Sequence, residues 1–248
     1  MVDRDRRTPG AAPPPLSALP PPPPAPPRSP AVDVPGEVDV RIAGRGNAPS
    51  LQARVRAADP AVRAVVLCHP HPLYGGSMHS PVPLAIAKNL SEHDDGRIAW
   101  LRFNFRGVGS SEGTYDEGRG EVDDARAAID FIRAAAPSAR IAVCGHSFGS
   151  WVGLRAAALE SGVDRVLLVA PSARFFDFDL PAHATTLQKT IFVGDRDEFC
   201  GVDDARSLAT RLDADIRIFE GYDHHFLKSR RALAEAALPV IAPEVCSP

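Results

Sequence analysis

The sequence predicts an α/β fold in which helices cover both faces of a doubly wound, mostly parallel β-sheet. Two short segments of alternating hydrophobicity, at 38–42 and 51–55, are typical of half-exposed antiparallel strands. From residue 64 onward, short apolar runs alternate with segments of helical periodicity, which is the pattern of a parallel sheet. With 248 residues, 44% of them hydrophobic, the chain is long enough to bury a full core as one domain.

The elements follow one another without an internal repeat. A Gly/Asn/Pro-containing turn separates the first two strands. The continuous apolar run at 64–68 predicts a central strand that is buried on both faces. The other predicted elements are helix 83–90, strand 98–105, helix 122–135, strand 141–144 with a helix directly after it, strands 166–170 and 190–193, helix 203–212, strand 216–219 and a last helix at 226–240.

The first 34 residues have a different composition from the rest of the chain. They contain 12 of the 25 prolines and almost no large apolar residues. Such a stretch cannot bury enough surface to offset the entropy of ordering, so it is predicted to be a disordered tail with polyproline character. It is interpreted either as a solvated tail or as a ligand for a proline-recognising module. The folded domain is predicted over residues 35–248.

Composition excludes several classes of partner. The formal net charge is −3 and no basic stripe is present, which argues against nucleic acid. No apolar run approaches the ~20 residues of a membrane span, and no secretory signal is recognisable. Cys68 and Cys144 fall in predicted buried strands and lack C-x-x-C spacing, which suits reduced thiols. A soluble cytoplasmic protein is therefore expected.

The segment 145–149 carries the strongest functional signal. It reads Gly-His-Ser-Phe-Gly and joins the strand predicted at 141–144 to a helix. A strand, a sharp turn and a helix are the context in which G-x-S-x-G forms a nucleophile elbow. Strand and helix nearly touch at such a turn, so only glycine fits at 145 and 149. The following helix directs its free N–H groups towards the serine oxygen, and Ser147 is predicted to be a nucleophile.

An acid and a base are expected downstream of the serine. A serine hydroxyl needs a base to take its proton and an acid to orient that base, and with this elbow the chain order is serine, acid, histidine. Asp197 follows the strand predicted at 190–193, and His224 follows the strand at 216–219. Because both loops and the serine turn leave the carboxyl ends of parallel strands, they are expected to meet at one edge of the sheet. The predicted catalytic triad is Ser147, His224 and Asp197.

Neighbouring polar residues have other interpretations. Asp195 lies too near its strand end to reach the site and is predicted to form a turn, and Glu198 is a weaker alternative to Asp197. Asp203 is expected to cap the following helix, and Asp223 is expected to structure the histidine loop. His225, directly after the predicted base, leaves the identity of the base formally open. Adjacent side chains of an extended loop point to opposite sides, so only one histidine can face the serine.

The loop after the central strand is predicted to complete the site. The turn after the serine supplies the N–H of Phe148 as one oxyanion donor, and a second donor is expected from the loop 69–76. Pro70 and Pro72 have no N–H, so between them only the backbone of His71 can donate. The predicted oxyanion hole therefore consists of the N–H groups of His71 and Phe148.

Two other kinds of site fit less well. His69, His71 and His79 suggest a metal site, but no carboxylate or cysteine completes the set and the triad needs no metal. Residues 107–113 almost match a dinucleotide fingerprint, but Glu112 occupies the third glycine position and the chain continues as a loop. Neither a metal nor a cofactor is predicted.

These motifs resemble those of a known family. They read Cys-His-Pro-His-Pro-Leu-Tyr-Gly-Gly at 68–76, Arg-Phe-Asn-Phe-Arg-Gly-Val-Gly at 102–109, Gly-His-Ser-Phe-Gly at 145–149, Gly-Asp-Arg-Asp at 194–197 and Gly-Tyr-Asp-His at 221–224. Together they resemble the α/β-hydrolase superfamily, and more narrowly its small lidless bacterial members related to dienelactone hydrolases and short-chain esterases, but with serine as nucleophile. The resemblance covers about residues 36–240. It implies the same triad and oxyanion donors, and it places the base three residues after Gly221.

The resemblance also bears on the absence of a lid. Many relatives carry a lid domain between the sixth strand and the acid, whereas only residues 171–189 separate the corresponding strands here. This segment is too short for a helical cap, so no lid domain is expected. Its Arg-Phe-Phe-Asp-Phe sequence at 174–178 is interpreted either as the wall of an acyl pocket or as part of the core.

The predicted function is that of a serine hydrolase acting on carboxylic esters or thioesters of small molecules. It would work through an acyl-enzyme without a cofactor. One alternative is an amidase or peptidase with the same triad. Another is a binding protein that keeps the fold without turnover, because a fold does not guarantee an activity.

Overall fold

The structure, a computed structural model, describes residues 32–93, 95–180 and 186–246. These residues contain eight strands, five α-helices and two short 3₁₀ helices, at Pro72–Tyr74 and Pro243–Val245. The strands are β1 Val38–Ile42, β2 Leu51–Arg56, β3 Arg63–Cys68, β4 Ile98–Phe103, β5 Arg140–His146, β6 Val163–Val169, β7 Gln188–Gly194 and β8 Asp215–Phe219. The helices are α1 Pro81–His93, α2 Arg119–Ala135, α3 Phe148–Ala158, α4 Val202–Leu212 and α5 Arg230–Ile241.

The strands form one twisted sheet in the order β1-β2-β4-β3-β5-β6-β7-β8. β1 and β2 are antiparallel to each other, β2 is antiparallel to β4, and the strands from β4 to β8 run parallel. The predicted fold class, a doubly wound and mostly parallel sheet, is confirmed. All parallel strands present their carboxyl ends at one edge, which is where the elbow and the two downstream loops begin.

Two apolar layers cover the sheet because side chains of each central strand alternate between its faces. In β3, Val66 and Cys68 face a cluster that includes residues of α2, α3 and α4. Val65 and Leu67 face a second cluster that includes residues of α1 and α5. All six residues of β3 are buried, as the continuous apolar run predicts. No helix of the described residues has the length and hydrophobicity needed to cross a membrane.

Several element boundaries differ from the prediction. The prediction that Asp203 caps α4 is wrong, because Gly201 is the N-cap and the carboxylate of Asp204 accepts a hydrogen bond from its N–H at 3.2 Å. The last helix begins at Arg230 rather than at 226. Ser229 caps it by accepting a hydrogen bond from the N–H of Ala232, and the residues before it form turns.

A buried ion pair that the sequence did not reveal fixes the start of the domain. Arg102 is the penultimate residue of β4, and its side chain and that of Glu37 are both completely buried. The guanidinium donates to both carboxylate oxygens of Glu37 and to the carbonyls of Met78 and Val32. The indole N–H of Trp100 also donates to Glu37. The segment before β1 is thereby attached to the centre of the sheet.

The predicted tail lies mostly outside the described residues. The prediction for residues 1–31 falls there entirely. Residues 32–34, which the sequence assigned to the tail, pack on the domain: Val34 is 2% exposed and Asp33 pairs with Arg54. The contacts of the domain therefore begin at least three residues earlier than the boundary predicted from composition.

Candidate active site

Ser147 occupies a strained turn between β5 and α3. Its backbone angles, φ 56° and ψ −119°, lie in a region that residues other than glycine rarely adopt. A Cβ on Gly145 would lie 2.1 Å from the carbonyl oxygen of Gly149, and a Cβ on Gly149 would lie 2.4 Å from the carbonyl oxygen of His69. The close approach inferred from the sequence motif is thus present, and both glycines are required by it.

The structure brings the three residues predicted as a triad into one chain of hydrogen bonds. Nε2 of His224 lies 3.0 Å from Oγ of Ser147, and Nδ1 of His224 lies 3.0 Å from both carboxylate oxygens of Asp197. The N–H groups of Phe199 and Cys200 donate to Oδ1 of Asp197 at 2.8 and 3.0 Å. All three side chains are buried. The acceptor-rich carboxylate fixes the proton of the imidazole on Nδ1, which leaves Nε2 free to accept a proton from the serine.

Neither the alternative acids nor the second histidine takes part in the hydrogen-bonded triad. Asp195 is exposed and accepts a hydrogen bond from the N–H of Gly221 at 2.6 Å, as expected of a turn residue. Glu198 is exposed as well. Asp223 accepts a hydrogen bond from the N–H of Leu227 and so structures its loop as predicted. His225 is exposed, and its ring centre lies 5.2 Å from that of His224.

The two residues predicted to donate to an oxyanion are near the serine, since Phe148 follows it in the chain and His71 lines a pocket together with it. Phe148 is the first residue of α3, and its N–H has no hydrogen-bond acceptor among the residues that the structure describes. The N–H of His71 likewise has none within the described ranges. The loop around His71 is tightly folded, since its carbonyl accepts the N–H groups of Tyr74 and Gly76, each at 3.1 Å. Two free N–H groups beside a serine are suited to binding negative charge.

The ring nitrogens of His69 and His71 contact other groups of the protein. His69 donates from Nδ1 to the carbonyl of Pro70 and accepts the N–H of Phe105 at Nε2, and burial lowers its pKa to about 3. His71 accepts the N–H of Leu73 at Nδ1 and lies 3.2 Å from the hydroxyl of Tyr115 through Nε2. Burial lowers the pKa of His71 to about 4. Both rings are therefore neutral near pH 7, with every ring nitrogen in a protein contact.

The metal site weighed for His69, His71 and His79 does not form. Nδ1 of His79 lies 3.2 Å from a guanidinium nitrogen of Arg102. Across the described ranges, no three or more side chains of His, Cys, Asp or Glu are grouped as metal ligands would be. The Gly-rich segment 107–113 is a loop and no helix follows it directly, as predicted.

Two residues of the site escaped the sequence reasoning. His146 is buried, and its Nε2 donates to the backbone carbonyl of His224 at 3.0 Å, which braces the histidine loop against the elbow. Burial pushes the pKa of His146 well below its ordinary value. Ser172, in the loop after β6, places its Oγ 3.0 Å from Oγ of Ser147. No sequence signal marks either residue, since position 146 is unconstrained in the motif and Ser172 is an ordinary loop serine.

Ser147 and His224 line two neighbouring pockets. The smaller one is apolar and is lined in addition by His71, Tyr74, Ser172, Phe175, Phe176 and Phe199. The larger one extends towards the start of α5, where Leu227 and Arg230 line it. Phe176 stacks on Trp151 with ring centres 4.8 Å apart and belongs to the core as well as to the pocket wall, whereas Phe178 belongs to the core alone. The segment 174–178 therefore contributes both to a pocket wall and to the core.

Comparison with known proteins assigns the family. A family model described as the alpha/beta hydrolase fold matches residues 63–214, which includes the serine and the acid. The chain belongs to the α/β-hydrolase family. An uncharacterised protein of Rickettsia prowazekii is 34% identical to this hydrolase over 182 residues, which cover 69% of this chain and 75% of the relative.

Solved structures of other α/β hydrolases are similar as well. One is an α/β serine hydrolase without a lid from Xanthomonas campestris, with 28% identity and a TM-score of 0.73 over 88% of this chain and 99% of that one. Another is an α/β serine hydrolase homologue from Coxiella burnetii, with 28% identity and a TM-score of 0.71 over 86% of this chain and 100% of that one. An esterase from Pyrococcus furiosus, 17% identical with a TM-score of 0.70 over 88% of this chain and 98% of that one, shares the fold. In the described part of this chain no α-helix lies between β6 and β7, as the prediction of a hydrolase without a lid domain requires.

Proposed function

We propose that this α/β hydrolase is a serine hydrolase that cleaves carboxylic esters or thioesters of small molecules through an acyl-enzyme. The observation that carries the proposal is the hydrogen-bonded chain from Asp197 through His224 to Ser147, with both links at 3.0 Å. The lidless serine hydrolase from Xanthomonas campestris, 28% identical, supports the same chemistry. The fold alone would not support it, since this architecture hosts unrelated functions.

The proposed reaction runs in two steps. Oγ of Ser147 attacks the carbonyl carbon while its proton passes to Nε2 of His224, and Asp197 stabilises the imidazolium that forms. The oxygen that gains negative charge accepts hydrogen bonds from the N–H groups of His71 and Phe148. His224 then protonates the departing alcohol or thiol, which leaves the acyl group on Ser147. Water repeats the sequence with the same proton route and releases the carboxylic acid. No cofactor or metal takes part.

The pockets support small substrates. The smaller, apolar pocket at Ser147 suits an acyl group, and Phe175, Phe176 and Phe199 line it. The larger pocket, which extends towards α5, suits the leaving group. The described residues between β6 and β7, 170–180 and 186–187, form no α-helix that could enclose a long chain. We therefore expect short acyl groups in solution to be preferred.

Labelling with a fluorophosphonate tests the nucleophile. The wild-type protein should be labelled, because the reagent phosphonylates activated serines, and the label should disappear in Ser147→Ala with an unchanged melting temperature. Folded wild-type protein that resists the reagent would favour a binding protein without turnover and overturn the proposal.

A series of p-nitrophenyl esters tests the substrate class. The value of kcat/KM should be greatest for short acyl chains and fall as the chain outgrows the pocket. Phe176→Ala should move the optimum to longer acyl groups, because it removes a ring from the pocket wall. A steady rise of kcat/KM with length in the wild type, or a jump at a lipid interface, contradicts this part of the proposal.

We also propose a cytoplasmic location. Its support is the state of the cysteines in the described residues, where all four are unpaired and Cys68 and Cys144 are fully buried. Burial raises the pKa of both thiols, that of Cys68 to about 12, so neither reacts as a thiolate.

A further inference from the structure

A second serine contacts the nucleophile. Oγ of Ser172 lies 3.0 Å from Oγ of Ser147, and Ser172 is only 5% exposed. This is the same distance at which Nε2 of His224 lies from the nucleophile. The oxygen of Ser147 therefore has two hydrogen-bond partners on different loops, one after β6 and one after β8.

Counting protons fixes the direction of the contact. Asp197 accepts from Nδ1 of His224, so the neutral imidazole that a base requires has no proton on Nε2. The single proton of Ser147 is then donated to Nε2, and the hydroxyl of Ser172 has to be the donor in the contact between the two serines. Ser172 consequently donates to a lone pair of Oγ of Ser147.

The backbone around Ser172 is arranged to hold this contact. Ala170, two residues earlier, has a φ of 47°, in the left-handed region that alanine rarely adopts. The strained residue is tied to the sheet, because its N–H donates to the carbonyl of Phe192 at 2.8 Å. Beyond it, the carbonyl of Ser172 accepts the N–H groups of Phe175 and Phe176. Strain kept in place by such contacts is typical of functional sites, and one rigid turn carries both the hydroxyl and the pocket wall.

We propose that Ser172 is a further catalytic residue, whose hydroxyl stabilises the oxygen of Ser147 whenever that oxygen carries negative charge. The assignment rests on the proposed serine-hydrolase function. During acylation, Oγ of Ser147 loses its proton to His224 as the bond to the carbonyl carbon forms. During deacylation that bond breaks, and Oγ takes the proton back from His224. In both steps Ser172 keeps its own proton and donates the same hydrogen bond, which strengthens as the charge on Oγ grows.

Three substitutions test the role. Ser172→Ala removes the hydroxyl, and Ser172→Thr keeps it. Ser111→Ala is the matched control, because Ser111 is another buried serine, with hydrogen bonds to the carbonyl of Asn104 and the N–H of Gln52, outside both pockets. The measurements are the rate of phosphonylation by a fluorophosphonate, kcat and KM for one short p-nitrophenyl ester, and the melting temperature.

Ser172→Ala should lower the phosphonylation rate and kcat by about ten- to a hundredfold, the usual effect of one hydrogen bond to a charged group, with KM within about twofold. Ser172→Thr should recover most of this loss, and Ser111→Ala should change neither rate. A Ser172→Ala variant as fast as the wild type or faster overturns the assignment, and so do equal losses in the alanine and threonine variants, which would indicate packing alone. If the folded wild type is not phosphonylated at all, the proposed function fails and this assignment fails with it.

Discussion

Adjacent histidines in the loop after β8 have different surroundings. His224 is 3% exposed and links the serine to the acid, whereas His225 is exposed and lines the larger pocket without joining the triad. The two histidines can have different surroundings because neighbouring side chains leave the backbone in different directions. The hydrogen bond from His146 to the carbonyl of His224 holds the loop in this register.

The two histidines should respond very differently to substitution. His224→Ala is expected to lower kcat by several powers of ten, because the nucleophile then has no base. His225→Ala should cost about tenfold or less, through small changes in the loop. The measurement is kcat for one activated ester, with folding of both variants checked by circular dichroism. A dead His225→Ala beside an active His224→Ala would place the base one residue further along.

The two aspartates after β7 form a second matched pair. Asp197→Asn should lower kcat by about 10³–10⁴-fold, because an amide presents a donor to the N–H groups that the carboxylate accepts and favours the wrong imidazole tautomer. Asp195→Asn should change kcat by less than about threefold, since its amide oxygen can still accept the N–H of Gly221. Similar losses in both variants would mean that the whole loop, rather than one carboxylate, sets the activity.

At the scale of elements, the contact between the segment before β1 and strand β4 depends on charge as well as hydrophobicity. Glu37 and Arg102 are completely buried and pair with one another, with Trp100 as a further donor to the carboxylate. A buried charge is tolerated only while its partner is present, because desolvation of an unpaired ion costs several kcal/mol. Removing one partner should therefore weaken the whole start of the domain.

Glu37→Gln should lower the free energy of unfolding by about 3–5 kcal/mol, since it leaves Arg102 buried without its counter-ion. Asp33→Asn is the matched control, because Asp33 also lies before β1 and its carboxylate also pairs with an arginine. The side chain of Asp33 is 83% exposed, so no measurable change in the free energy of unfolding is expected. Urea unfolding of the two variants and the wild type measures the difference. Equal stability of Glu37→Gln and the wild type would show that solvent reaches Arg102.

At the scale of the whole molecule, buried neutral histidines connect stability to pH. Burial lowers the pKa of His69 to about 3 and that of His71 to about 4, from an ordinary value of 6.5. Above pH 6.5 both histidines are neutral in the folded and in the unfolded chain, so they do not make the free energy of unfolding depend on pH. Below it, the unfolded chain binds protons that the folded protein excludes, and stability falls until the folded pKa is passed.

Between pH 7.5 and about pH 5, each of these two histidines should lower the free energy of unfolding by about 2 kcal/mol. Urea unfolding at both pH values measures the change. The variant His69→Gln has an amide that does not titrate. Its free energy of unfolding should therefore fall between these pH values by about 2 kcal/mol less than that of the wild type. An unchanged pH dependence in this variant would mean that His69 becomes protonated in the folded protein.

Local features of the chain were sufficient to predict the fold class and most of the elements. The apolar run of β3, the alternation in β1 and β2 and the glycines at 145 and 149 depend on side-chain periodicity and on contacts between near neighbours. The positions of Ser147, Asp197 and His224 after strand ends are also local, and a parallel sheet brings all such loops to one edge. For this reason the sequence predicted that the three residues lie close together, but not the distances between their atoms.

Only the tertiary structure decided which distant residues complete these local features. Ser172 reaches Ser147 because β6 lies next to β5 in the sheet, and His146 reaches the carbonyl of His224 across a separation of 78 residues. Arg102 finds Glu37 because the antiparallel strand β2 joins the parallel part of the sheet at β4. These pairings depend on the order of strands in the sheet. Contacts between residues far apart in the chain produce no periodic pattern in the sequence, so the sequence does not reveal which residues pair.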